Sequence, residues 1–195
     1  MAELFKFADH WERLGISPDL VRRRGLPVFD EPPELEDVGV ASDGRIHRLD
    51  PAAAKAWKAM RQAATEASVP MYLISGFRSI ERQAELIEAR LTRGQPLSEV
   101  LSILAPPGCS EHHTGRAVDI GAPGFAGLDE AFEDSQAFRW LRANAGKFGF
   151  TLSFPRGNPW GYRYEPWHWC YAGQLRVSSG ESRGSIDSSG TNLVP

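Results

Sequence analysis

The chain has 195 residues, of which 42% are hydrophobic and 24% charged, and its formal charge is −3. That balance suits one globular domain with appendages and excludes wholesale disorder and a global basic footprint for nucleic acid. No run approaches the roughly 18 apolar residues of a membrane span, and two cysteines, Cys109 and Cys170, are too few for a disulfide scaffold.

The first residues, MAELFKFADHWERLG, mix acids, bases and aromatics. They lack the apolar core of a secretory signal, so the chain as it stands reads as cytoplasmic, with a periplasmic location or secretion by another route as the alternative. Residues 1–37 read as an N-terminal arm: a short helix around Asp9–Leu14, then an irregular, proline-rich segment. Its basic run, Arg22-Arg23-Arg24, reads as a solvated turn. Val38–Val40 and Arg45–Leu49 flank Ser42-Asp43-Gly44, which predicts a hairpin. Asp50-Pro51 opens a helix, with Asp as cap and Pro in the first turn, and Ala53, Trp57, Met60, Ala64 and Ala67 recur at helical spacing. Met71–Ile74 is a short buried strand. Ser79 caps a second helix carrying Ala84, Ile87 and Leu91, which ends before Gly94. A brief helix covers Leu97–Leu104, a strand Ala117–Ile120, and an amphipathic helix Phe138–Phe148. Phe150–Phe154 and Tyr164–Tyr171 are the last strands. After Gly173 the sequence turns to Ser and Gly without apolar periodicity, and residues 176–195 read as a disordered tail. The fold class is therefore α+β, with a small antiparallel sheet, helices packed on one side, and the folded domain over residues 38–175.

Two segments stand apart from the core pattern: Ser110-Glu111-His112-His113-Thr114-Gly115-Arg116-Ala117-Val118-Asp119 and Tyr164-Glu165-Pro166-Trp167-His168-Trp169. His112, Asp119 and His168 supply two imidazoles and a carboxylate, the donor set of a catalytic zinc that keeps one position open. Thr114-Gly115 lets the chain turn between His112 and Asp119. Glu165 and His168 would face opposite ways in a regular strand, and Pro166 favours an edge or a bulge that aims both at one metal. Glu165 would then serve as general base, and Arg78 would hold a substrate carboxylate or a developing oxyanion. Spacing alone also admits an edge strand with hydrogen-bonded histidines and a surface Arg78. Cys109 and Cys170 flank the two segments; buried free thiols account for them better than a closed Cys2His2 site, which would leave Asp119 and Glu165 without roles. His113 lies outside this metal set.

S-E-H-H-T-G-R-A-V-D resembles the S-x-H-x-x-G-x-A-x-D pattern of the VanY-type D-alanyl-D-alanine carboxypeptidases. Y-E-P-W-H-W resembles that family's E-x-W-H motif, and S-G-F-R-S followed by Gln83 resembles its upstream S-G-[YF]-R-S-x-x-x-Q element. The three occur in the family's order over roughly residues 50–173. The resemblance implies a hedgehog/DD-peptidase-like fold and one zinc held by His112, Asp119 and His168. It also implies Glu165 as base, Arg78 as a catalytic and substrate contact, and Gln83, Ser110, Tyr162 and Trp167 as further substrate contacts. The implied partner is a peptidoglycan stem peptide or another D-alanine-terminated fragment. The implied reaction is removal of a C-terminal D-alanine, as a D-alanyl-D-alanine carboxypeptidase or dipeptidase or as an L,D-carboxypeptidase; a phage-type or secreted peptidoglycan endopeptidase and a non-catalytic zinc-stabilised binding module are the alternatives on the same scaffold.

Overall fold

Asp50 starts the central helix as its composition requires: the carboxylate accepts the N–H groups of Ala52 and Ala53, and Pro51 occupies the first turn. In the computed structural model, which describes residues 6–40, 44–125 and 127–173, this helix spans Pro51–Glu66 (α3). It is preceded by α1 (Ala8–Arg13) and α2 (Pro18–Arg23) and by the antiparallel pair β1 (Glu36–Val40) and β2 (Ile46–Leu49). Ser42 and Asp43 of the expected hairpin turn, and the 176–195 segment, lie outside the described residues. Further along come β3 (Tyr72–Ser75), α4 (Ile80–Thr92, capped by Ser79), α5 (Leu97–Val100), β4 (Ala117–Gly121), α6 (Gln136–Asn144), β5 (Phe150–Leu152) and β6 (His168–Tyr171). The fold is α+β. β3, β4, β6 and β5 form, in that order, a four-stranded sheet whose neighbours are all antiparallel.

Strand alternation divides the labour of the sheet. Val118, Ile120 and Trp169 join Trp57, Met60, Phe132, Leu141 and Phe150 in the main core beneath α3 and α6, which leaves Asp119 and His168 to face the other way. A second core lies under the N-terminal helices: Phe7, Trp11, Leu14, Ile16, Val21 and Leu26 pack against Ala84 and Ile87 of α4 and against Val100, Leu101 and Cys109.

Three expectations change. Residues 17–23 are not irregular: Ser17 caps α2, its hydroxyl accepting the Asp19 N–H, with Pro18 in the first turn. The last strand begins at His168 rather than Tyr164, because Pro166 and Trp167 form a turn closed by the His168 N–H donating to the Glu165 carbonyl at 3.1 Å. And β6 is an interior strand, between β4 and β5, not an edge.

Candidate metal centre and active site

One row of the sheet carries the centre of the site. In the strand registers, Ser75 of β3 faces Asp119 of β4, and Asp119 faces His168 of β6. The cross-strand pair sets His168 Nδ1 3.0 Å from Asp119 Oδ1. Two residues 49 positions apart thus meet because they share a register position and a face.

His112 arrives from a short 3₁₀ turn, Glu111–Thr114, which ends at Gly115 with φ +66°. A side chain at 115 would be strained at that φ and would place a Cβ 2.7 Å from the Asp50 backbone nitrogen. The turn separates the two neighbouring histidines. His112 Nε2 lies 3.2 Å from Asp119 Oδ2, and its Nδ1 donates to the Gly76 carbonyl at 2.7 Å, so on a neutral ring Nε2 carries the free lone pair. His113, fully buried, donates from Nδ1 to the Arg78 carbonyl at 2.7 Å and accepts the Gly108 N–H at Nε2. It braces the backbone of Arg78 from outside the site.

Glu165 reaches the same place through its turn, not a bulge: its Oε2 is 3.8 Å from His168 Nδ1. Arg78 follows β3, its Nη2 3.9 Å from Asp119 Oδ2. The guanidinium donates to Gln83 Oε1 (3.0 Å) and Ser75 Oγ (3.3 Å), and Gln83 in turn donates to the Ala105 carbonyl (2.7 Å). Gln83 is thus a fully buried brace on Arg78. Ser110, Tyr162 and Trp167, with Phe154, line a cavity of about 540 Å³ together with Arg78, Gln83, His112, Asp119, Glu165 and His168.

Glu111 has no role in the motif reading but has one in the fold. Its Oε2 lies 2.8 Å from His168 Nε2, and Ser153 and Cys170 also hydrogen-bond to it. The signal was present in the S-E-H run, but only the fold shows that the acid serves the distant His168 rather than its neighbour His112. Cys109 belongs to the second core, and burial pushes its thiol up to about 12. Neither cysteine joins the cluster of ligand atoms described next.

The site is a charged cluster of buried side chains at the wall of the cavity. Burial alone would raise the Asp119 carboxyl, but His112 and His168 outweigh it and hold it well below the carboxylate range. Burial works against a charge on His168 too, and the hydrogen bonds and charges of Asp119 and Glu111 override it, raising the imidazole to about 10. Burial pushes Glu165 up to about 7 against the opposing pull of His168 and Arg78. Among the described residues, His112, Asp119 and His168 offer ligand atoms that all lie within 4.8 Å of one another. The donor chemistry fits a zinc ion: two imidazoles and one carboxylate, both histidines held through their other ring nitrogen by an acceptor, and carboxylates that favour positive charge at the centre.

A family model described as VanY, D-alanyl-D-alanine carboxypeptidase, matches residues 46–174. The chain belongs to the VanY family. Putative carboxypeptidase YodJ of Bacillus subtilis (strain 168) is 33% identical over 162 residues, covering 78% of this chain; the chain spans only 58% of that curated relative's length. Among solved structures, the LdcB LD-carboxypeptidase superposes with a TM-score of 0.67 at 34% identity, over 76% of this chain and 72% of LdcB. A variant of the vancomycin-resistance D,D-pentapeptidase VanY, solved in complex with Zn(II), superposes with a TM-score of 0.56 at 30% identity, over 72% of this chain and 79% of its own. The hedgehog-like VanY fold expected from the three motifs is the fold observed.

Proposed function

We propose that this chain is a zinc carboxypeptidase that removes a C-terminal D-alanine from peptidoglycan-type stem peptides. One observation carries the reading: a His112–Asp119–His168 donor group shares a single cavity with a buried carboxylate, Glu165, and a braced guanidinium, Arg78. VanY-family membership and the zinc complex of a VanY relative support it.

His112, Asp119 and His168 would hold the ion, which when bound supplies a Lewis acid that polarises the scissile carbonyl and acidifies water. Glu165 takes a proton from the attacking water and delivers it to the nitrogen of the departing D-alanine as the C–N bond breaks. A carboxyl lifted toward neutrality by burial is suited to both halves of that transfer. Arg78, the cation beside Asp119, orients the substrate by its terminal carboxylate or carbonyl oxygen, and Gln83 acts through Arg78 by fixing its guanidinium plane. Ser110, Tyr162 and Trp167 shape the walls around the peptide. Glu111 keeps the His168 Nε2 proton engaged, which leaves Nδ1 facing Asp119.

The second reading is L,D-carboxypeptidase action on a tetrapeptide stem, supported by the similarity to the LdcB LD-carboxypeptidase. Amino-acid release from D-Ala-D-Ala, tetrapeptide and pentapeptide stems, each with and without chelator, tests both. The expected result is chelator-sensitive D-alanine release, and the preferred member separates D,D from L,D action. Zinc-loaded protein that releases nothing would overturn the carboxypeptidase reading in favour of an endopeptidase, seen as loss of sacculus turbidity, or a binding module.

A further inference from the structure

The basic run Arg22-Arg23-Arg24 does not behave as one solvated turn. Arg22 pairs with Asp19 at the surface, and Arg23 is exposed. Arg24 turns inward, its Nε donating to the Trp160 carbonyl at 2.6 Å and its Nη1 to the Leu101 carbonyl at 2.8 Å. The same guanidinium lies over the Tyr162 ring, 4.3 Å from its centroid. One side chain from the N-terminal helix pair therefore ties together three segments of the fold.

Those contacts lead to the active site. The Tyr162 ring meets Phe154 edge-on at 5.0 Å, and Phe154 in turn packs against the His168 imidazole at 4.7 Å. Tyr162 and Phe154 both line the cavity that holds Glu165 and Arg78. The backbone of Tyr162 is fixed separately, its carbonyl accepting from and its N–H donating to the Asn158 amide, so Arg24 acts on the ring rather than on the loop's path alone. The N-terminal pair is itself anchored: Trp11 is fully buried and donates to the Pro107 carbonyl, Phe29 N–H donates to the Gly108 carbonyl, and the Phe7 ring covers the face of Gly108, which has φ +84°. Arg24 lies outside residues 46–174, the span matched by the family model.

We propose that Arg24 is a positioning residue for the substrate wall: from outside the family core it fixes the Tyr162 ring, and through it Phe154, against His168. The inference rests on the carboxypeptidase reading only in treating that wall as a substrate wall. A guanidinium suits the task because its planar fork can bridge two carbonyls and stack on a ring at the same time, which an ammonium cannot do. The arm is thereby part of the site and not an appendage to it.

The test is a double-mutant cycle of Arg24→Met and Tyr162→Leu in the full, zinc-loaded chain, read as KM and kcat for the best stem peptide, together with hydrogen exchange of residues 158–163. Arg24→Met is expected to raise KM about ten-fold with kcat within about two-fold and zinc content unchanged, and to add nothing in the Tyr162→Leu background. The amides of residues 158 and 160–163 are expected to exchange about ten-fold faster while those of β4 and β6 keep their rates. If Arg24→Met does not fold, Arg24→Lys, which keeps the charge but not the fork, is read the same way. Independent, multiplying effects on KM, or an unchanged exchange pattern in a folded variant, would overturn the proposal. A wild-type protein that releases no D-alanine would refute the carboxypeptidase reading instead, and the exchange pattern would still decide the role of Arg24.

Discussion

Glu111 offers the sharpest test of how the centre is assembled. It holds His168 Nε2 at 2.8 Å, and the His168 side chain is only 4% exposed, so no water readily takes over as acceptor if the carboxylate is removed. Glu111→Leu strands that N–H, and the ring is then free to carry its proton on Nδ1, the atom facing Asp119. A hydrogen bond to a charged group contributes about 1.5–3 kcal/mol, which at about 1.36 kcal/mol per decade is close to the roughly 10–100-fold in metal affinity that such outer carboxylates supply. The zinc Kd of Glu111→Leu is therefore expected to rise about 10–100-fold. Glu111→Gln keeps an acceptor oxygen but loses the charge, and a rise of about 3–10-fold is expected. Competition against a chromogenic chelator at fixed pH measures both, with circular dichroism confirming the fold. A Leu variant that binds zinc within about two-fold of wild type would show that Glu111 does not set the His168 tautomer.

Glu165→Gln should keep one zinc per chain and lose roughly 10²–10⁴ in kcat, because it removes the proton acceptor and leaves the donor group intact; steady-state kinetics alongside metal analysis checks this. His112→Ala and His168→Ala should each lose the metal, and full zinc occupancy in either would remove that residue from the ligand set. Trp11→Ala empties a fully buried site and strands the Pro107 carbonyl. It should cost about 3–5 kcal/mol and lower Tm by roughly 10 °C, and a near-unchanged melting curve would show that the N-terminal helices do not belong to the cooperative unit.

Much of the site was legible because its chemistry is local in sequence. His112 and Asp119 sit seven residues apart around a glycine that must turn, Glu165 and His168 sit three apart around a proline, and the three motifs occur together in the order of the VanY family. The α+β class followed from helix caps such as Asp50-Pro51 and from short apolar runs. What the sequence alone did not determine was which atoms meet. Glu111 looks like a partner of the adjacent His112, yet the 3₁₀ turn ahead of β4 folds it onto His168, 57 residues on. The path from Glu165 to His168 reads from the sequence as an edge strand or a bulge, whereas in the fold it is a turn closed by the His168 N–H on the Glu165 carbonyl, ahead of an interior β6. Arg24 sits in a polar run that reads as solvated, and its burial depends on Trp160, Leu101 and Tyr162, which lie 77 to 138 residues away. Residue type and spacing establish what chemistry a segment can perform; long-range packing decides which partner it performs it with, since register, face and buried acceptors are properties of the folded neighbours and not of the segment itself.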